Sequence, residues 1–260
     1  MKVQLAQRHA LITGGGTGIG RALAFALAQH GARVTVTGRR SELLQAVAQA
    51  IIERGEPAQA ISADVTDAAQ RNAMLTQAVA SFGEIEILIS NAGALHGGSF
   101  AQHSAQEIEA LIRLHLNAPM ELVRSLHPHL KAIVLVSSQA AQIPVPHFAL
   151  YCATKAGLSA FATALRYELD DTHVLLAAPP GTRTPMIEPF LHLPEAKHFP
   201  LLEAEFVAER IVKALAAGRR EVAFHPLYDF PVRFYRWFPG LLTRALHWQR
   251  HRFARLFERQ

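Results

Sequence analysis

A single cysteine, Cys152, stands among 260 residues, so no intrachain disulfide holds this chain together and its thiol usage fits a reducing compartment. Long apolar runs are missing as well: no stretch approaches the ~18 residues of a membrane-crossing helix. The segment from Met1 to Ile12 lacks the apolar stretch and small-residue cleavage site of a secretory signal. Charge is sparse, at 18% of residues against 50% hydrophobic. That balance excludes intrinsic disorder and provides for a large buried core. The expectation is a soluble, cytoplasmic globular protein.

Lysine is absent from the tail. Between Gly218 and Gln260 there are nine arginines and three acids (Glu221, Asp229, Glu258), a net +6 that leaves −1 for the rest of a chain whose total is +5. The same stretch holds ten of the twenty aromatic residues. The basic character therefore belongs to an appendage, and a nucleic-acid role for the whole chain loses its electrostatic support.

Ahead of the tail there is no internal repeat, low-complexity tract or Pro/Ser-rich linker. Short β-rich runs alternate with helical patterns instead. Strands are expected at His9–Thr13, Arg33–Thr37, Ala58–Ser62, Ile85–Ser90, Ala132–Ser137 and Val174–Ala178. Helices are expected over Gly18–His30, from Ser41 as N-cap to Arg54, over Asp67–Phe82 with Gly83 closing it, and through Tyr151 to Leu169. The run IEILIS is apolar on both faces, as in a strand covered on both sides. Such alternation implies βαβ units with right-handed crossovers, hence an α/β fold with a doubly wound parallel sheet. Two parts are expected: residues 1–225 as a nucleotide-binding catalytic domain and 226–260 as a C-terminal extension.

Glycines crowd the turn after the first strand, in Thr13-Gly14-Gly15-Gly16-Thr17-Gly18-Ile19-Gly20. A glycine turn between a strand and a helix lets backbone approach a pyrophosphate at the helix N-terminus, so Gly14, Gly16, Thr17, Gly18, Ile19 and Gly20 are candidates to bind a dinucleotide. The end of the second strand reads Thr37-Gly38-Arg39-Arg40, with no carboxylate before Glu42. An acid there would hold a ribose 2′-hydroxyl, whereas Arg39 and Arg40 suit a 2′-phosphate; NADP(H) is favoured over NAD(H).

Tyr151 and Lys155 lie four residues apart in a helical pattern and so share one face. A free phenol titrates near ~10, too high for proton transfer at neutral pH, and a neighbouring ammonium would lower it. Further motifs stand in register with this pair: the glycine turn, Asp64 in Ser-Ala-Asp-Val, Asn91-Ala92-Gly93, Asn117 in Leu-Asn-Ala-Pro, and Ser138 thirteen residues before the tyrosine. In these motifs and their order, over roughly residues 8–225, the chain resembles the short-chain dehydrogenase/reductase family.

The resemblance implies a Rossmann-type three-layer domain and hydride transfer between a nicotinamide and a carbonyl or alcohol. Tyr151 would be the general acid or base, Lys155 would lower its pKa and hold the nicotinamide ribose, Ser138 would bond the substrate oxygen, and Asn117 would hold a relay water. Asp64, with Val65 beside it, would bind the adenine, and Asn91, Ala92 and Gly93 would line the adenine-ribose side. A homodimer or homotetramer is implied too. Pro119, by removing an N–H, frees the carbonyl of His115 and either kinks the helix beside Asn117 or marks where one helix ends and another starts.

The match weakens after the last strand. In Pro179-Pro180-Gly181-Thr182-Arg183-Thr184 either the loop is one residue short or Pro180 replaces a glycine; Pro180, Gly181 and Thr184 are placed against the cofactor with the register left open. The lid region after Pro185 is apolar (Met186, Ile187, Phe190, Leu191, Leu193), with Leu95, His96, Gln139, Ile143 and Phe148 as the opposite wall. Such a lining suits a lipophilic carbonyl, such as a ketone or 3-oxoacyl group, though for each residue taken singly ordinary core packing is the stronger explanation.

Cys152 reads as a small buried filler. His247 and His251, one helical turn apart, have no cysteine or carboxylate nearby, and no metal is expected. Pro226, Pro231, Pro239 and Gly240 punctuate the tail, and a helix pattern runs from Leu241 to Phe257. Its apolar face comprises Leu242, Ala245, Leu246, Phe253, Leu256 and Phe257, with Arg244, Arg250, Arg252, Arg255, Arg259 and Trp248 around the rest. That pattern fits peripheral contact with an anionic membrane, on its inner face, and equally fits docking on a partner subunit or on the body. Two functions follow: an NADP(H)-dependent oxidoreductase, or a nucleotide-binding redox sensor or adaptor without turnover.

Overall fold

A computed structural model describes residues 2–191 and 201–255. Six parallel strands form its centre: β1 (His9–Thr13), β2 (Arg33–Gly38), β3 (Ala58–Ser62), β4 (Ile87–Ser90), β5 (Ala132–Val136) and β6 (His173–Ala177). Their order is β3-β2-β1-β4-β5-β6. Chain direction across the sheet reverses between β1 and β4, so a crevice opens there beyond the carboxyl ends of the strands, the usual ligand position in an open α/β sheet. Strand ends differ slightly from expectation. Ile85 is fully buried but unpaired in the ladder, and the last strand begins at His173 and ends at Ala177.

Side chains alternate across a strand, and here the alternation builds two cores. Ala10, Ile12, Ile87, Ile89 and Val134 point to one face, where α1 (Gly18–Gln29), α2 (Ser41–Ile52) and α8 (Ala204–Ala216) cover them. Leu11, Leu88, Ile133 and Leu135 point to the other, beneath α3 (Ala68–Phe82), α5 (Ala118–Leu126) and α6 (Ala149–Glu168). This explains the unbroken apolar reading of β4 and β5: both faces are buried. His9, in β1, is also fully buried; its ring nitrogens meet the Gly83 carbonyl and the Thr35 hydroxyl, each at 2.8 Å, so its polarity is matched.

Asp67 caps α3 by accepting the Gln70 N–H at 2.8 Å, and Gly83 closes it with φ of +78°. Ser41 is not an N-cap: it is the first residue of α2, and Arg40 holds the cap position without a side-chain bond to the helix. α4 (Ala105–Ile112) opens with a reciprocal Ser104–Glu107 capping box. Around Pro119 the helix neither stops nor simply kinks. It widens into a π turn over Arg113–Asn117, where the Ala118 N–H bonds the Arg113 carbonyl, and runs on into α5.

After β6, β7 (Thr182–Arg183) pairs in parallel with β8 (Leu202–Glu203) and pins the loop that follows Pro180. Between them lies the short α7 (Glu188–Leu191); Leu193 falls outside the described residues. The tail holds two helices rather than one. α9 (Pro226–Trp237) places Pro226 in its first turn and carries Pro231 within it, and α10 (Pro239–Arg255) begins earlier than the sequence pattern suggests. Leu256 and Phe257, expected on its apolar face, lie outside the described residues. Leu242, Ala245 and Leu246 are half-buried and Phe253 is buried, which is the face the spacing identifies.

Candidate active site

Two cavities meet at the crevice. The larger, of about 630 Å³, is lined by the glycine turn from Gly14 to Ile19 (Gly15 excepted), by Arg39, Arg40, Asp64 and Val65, by Asn91, Ala92 and Gly93, and by Thr184. The smaller, of about 350 Å³, contains Ser138, Tyr151 and Lys155 and is otherwise walled mainly by apolar side chains. Ile19, Asn91, Gly93, Ala94, Thr184 and Met186 border both, so one elongated ligand can reach from the arginines to Tyr151.

Backbone packing dictates the glycine turn. A Cβ at Gly20 would lie 2.2 Å from the Gly14 carbonyl oxygen, so no other residue lets α1 start this close to β1. Gly18, with φ of +53°, packs against the Thr184 side chain, which brings Thr184 to the turn. Thr13 and Asn91 lock the two strand ends together. The Asn91 amide donates to the Thr13 carbonyl at 3.0 Å, and the Asn91 and Ala92 N–H groups both donate to the Thr13 hydroxyl at 3.0 Å. Asp64 accepts the Thr66 hydroxyl at 2.7 Å, which fixes its carboxylate at the rim.

This cleft fits a dinucleotide. α1 has no acid in its first turn and no side-chain cap, and Gly18 and Ile19 of that turn border the cavity, so a helix N-terminus stands where an anion can use it. Arg40 donates to the Thr17 hydroxyl at 3.1 Å. Neither Arg39 nor Arg40 forms an ion pair among the described residues, so both remain available to an anion at the end of β2.

In the smaller cavity α6 carries Tyr151 and Lys155 on one face, and Ser138 follows β5. The Ser138 hydroxyl and the Tyr151 phenol both line this cavity, and the Ser138 hydroxyl accepts the Ala140 N–H at 3.2 Å. Burial pushes that phenol above its ordinary value and outweighs the opposing influence of Ser138. The lowering expected from Lys155 is not seen: its ammonium donates to the Val136 carbonyl at 2.9 Å and lies 5.9 Å from the ring centre. Burial lowers Lys155 itself to about 8. In the protein's own field Tyr151 is a protonated donor. Ser137 also borders this cavity, but its hydroxyl is committed to the Lys155 carbonyl at 2.9 Å and to Ser159.

Asn117 is not brought to this group. It is exposed and borders neither cavity. Two residues earlier, on the opposite side of the π turn, His115 is buried and borders the smaller cavity. Its Nε2 accepts the Ala94 N–H at 3.1 Å, which leaves the proton on Nδ1. Nδ1 meets the Thr154 hydroxyl at 2.8 Å, and that hydroxyl in turn donates to the Tyr151 carbonyl at 3.0 Å. The His115 ring stands edge-on to Tyr151, with centres 5.7 Å apart. Burial first, and the Lys155 charge second, lower its pKa to about 2, so the ring stays neutral.

Other placements are mixed. Leu95, Phe148, Met186 and Phe190 line the smaller cavity, as do Ile187, Leu191, Pro180 and Gly181. His96 borders the larger cavity instead. Gln139 and Ile143 line neither; the Gln139 amide donates to the Tyr228 carbonyl of α9 at 3.0 Å and is committed to the tail. Phe253 of α10 was expected only on a tail face. It is a cavity wall, packed with Val145, Phe148, Phe190 and Leu246.

Comparison with known proteins agrees with this geometry. The family model described as short chain dehydrogenase matches residues 8–192. A 3-dehydrosphinganine reductase of Arabidopsis thaliana is 34% identical over 240 residues, 86% of this chain and 72% of that protein. A short chain dehydrogenase/reductase from Burkholderia phymatum, solved with NAD, shares the fold at a TM-score of 0.84 and 22% identity, over 92% of this chain and 96% of the other. A short chain dehydrogenase from Burkholderia cenocepacia J2315, solved with NADP, superposes at 0.76 with 28% identity over 84% and 96%. The chain belongs to the short-chain dehydrogenase/reductase family of oxidoreductases.

Proposed function

We propose that this protein is an NADP(H)-dependent reductase of a lipophilic ketone or 3-oxoacyl compound, working reversibly on the matching alcohol. One observation carries the reading. Ser138, Tyr151 and Lys155 converge on an apolar cavity that opens, past Gly93, into a glycine-lined cleft ending at Arg39 and Arg40, which form no ion pair among the described residues. The relative named as a 3-dehydrosphinganine reductase and the neighbour solved with NADP point the same way.

The nicotinamide, when bound, supplies or accepts the hydride. The chain's own residues do the rest. Ser138 and Tyr151 hydroxyls hold the carbonyl oxygen, and Tyr151 gives up its phenolic proton as the oxygen gains charge. The Lys155 ammonium stabilises the phenolate left behind and donates to the nicotinamide ribose. Arg39 and Arg40 hold the 2′-phosphate, Asp64 and Val65 the adenine, and the α1 N-terminus the pyrophosphate. His115 is a positioning residue: it ties the Ala94 wall to Thr154 and thus to the backbone that carries Tyr151. The relay assigned to Asn117 gains no support from the position of that side chain.

Consumption of NADPH across a panel of ketones of rising chain length tests the reading. Turnover that improves with apolar length is expected. Tight NADPH binding with no turnover anywhere on the panel would make the protein a sensor instead. The family likeness extends the proposal to a homodimer or homotetramer; a monomeric mass by light scattering would contradict that part.

A further inference from the structure

The tail hairpin has two apolar sides, and only one is used by the fold. On α9, Tyr228, Val232 and Tyr235 are half-buried, and the Tyr228 carbonyl accepts the Gln139 amide of the body at 3.0 Å. Leu227, Phe230, Phe234 and Trp237 follow the i, i+3, i+7, i+10 spacing of a second stripe. In that stripe Leu227, Phe230 and Trp237 are 67%, 64% and 81% exposed. Phe230 stacks on Phe234, which meets Phe238, so the stripe is a continuous aromatic surface. Phe238 and Leu241 carry it round the turn, and Trp248 on α10 is again 81% exposed.

Charge selects the occupant. Residues 226–255 contain six arginines and one acid, Asp229, which is half-buried beside the Gln139 amide. Arg233, Arg236 and Arg244 are exposed. A second copy docking face to face through this surface would set arginine against arginine with almost no acid to pair them. An anionic lipid surface offers headgroup charge to the arginines and an acyl boundary to the aromatics. α9, at 12 residues, is ~18 Å long, too short to cross a ~30 Å hydrocarbon core. No helix among the described residues is long and apolar enough to do so. The hairpin would therefore lie in the interface plane.

The inner side of the same hairpin supplies Phe253 to the catalytic cavity. We propose that α9 and α10 seat the protein on an anionic membrane and form the port through which a lipophilic substrate passes from the bilayer, past Phe253, to Tyr151. The docking half stands on the surface alone; the port half rests on the lipophilic-ketone reading above.

Trp237 and Trp248 are the chain's two tryptophans, so fluorescence excited selectively at the indoles reports on the hairpin alone. The full-length protein is titrated with phosphatidylglycerol–phosphatidylcholine vesicles and with phosphatidylcholine vesicles. Expected are a blue shift and quenching by brominated acyl chains with the anionic vesicles, and at least tenfold weaker binding for Phe230→Ser/Trp237→Ser and for Arg233→Glu/Arg236→Glu. Both variants should keep the wild-type melting profile and NADPH turnover of a short, water-soluble ketone. Turnover of a long-chain ketone presented in anionic vesicles should fall in both. No shift with anionic vesicles overturns docking, as does a shift that grows with protein concentration in their absence, which would identify a second copy. Docking with unchanged long-chain turnover in the variants overturns the port. Absence of turnover on any ketone defeats the function reading and leaves the vesicle result standing.

Discussion

At the scale of single residues, the clustering of the proposed reacting groups was legible because it is local: Tyr151 and Lys155 share one turn of helix, and Ser138 sits at a strand end. Asn117 misled because two residues along a helix turn a side chain by roughly 200°. The widened turn before Pro119 offers no outward sign of its phase, so His115 carried no signal beyond proximity. Its neutral ring makes a pH prediction. The unfolded chain binds a proton below about 6.5, whereas the folded ring resists it down to about 2. The unfolded state therefore binds more protons throughout that window, and stability must fall as pH drops below about 6.5. His9 and His173 are lowered as well and add to the slope. Urea unfolding at pH 7 and pH 5 should show a pH slope shallower in His115→Asn than in the wild type, by up to ~1.4 kcal/mol per pH unit. Equal slopes would mean that His115 titrates freely. Lys155 gives the opposite window: with a folded value near 8 and an unfolded value near ~10.4, its burial destabilises the fold below pH 8 and relaxes as pH rises above it. Lys155→Met should flatten that rise. Cofactor choice rests on Arg39: Arg39→Asp should weaken NADPH far more than NADH, by about tenfold or more. Equal losses in a binding titration would remove Arg39 from the 2′-phosphate.

At the scale of elements, the six strands and most helices were readable because hydrophobic period and glycine punctuation agree there. RVTVT and AIVLVS read as strands, and Gly31 and Gly83 as stops. The tail was half legible. Its prolines read as breaks, yet Pro226 and Pro239 begin helices, where a missing N–H costs nothing, and Pro231 is tolerated inside α9. Phe253 appeared only as one apolar position on a helix face, because no local pattern says what that face will meet. Its wall position predicts that Phe253→Ala raises KM for a long-chain ketone by roughly tenfold or more while kcat for a short ketone changes little. The cavity left behind should also cost ~3–5 kcal/mol of stability. Steady-state kinetics on both ketones checks the first part, and an unchanged long-chain KM would place Phe253 outside the substrate path.

At the scale of the whole molecule, one sheet covered on both faces leaves a crevice where β1 and β4 part, and the proposed reacting side chains, Ser138, Tyr151 and Lys155, line it. A nearly neutral body carries that crevice, while residues 226–255, with six arginines, one acid and eight of the twenty aromatics, lend Phe253 to the wall of its smaller cavity. Length and composition announced this division, but only the packing of α10 against Phe148 and Phe190 shows that the appendage belongs to the site. The central claim is that Tyr151 donates the proton that accompanies hydride transfer to a carbonyl. NADPH oxidation by wild type and Tyr151→Phe, with the same lipophilic ketone and with NADPH affinity measured alongside, tests it most directly. The account predicts a loss of ~10²–10⁴ in turnover with nucleotide affinity nearly unchanged; turnover within about tenfold of wild type would contradict it.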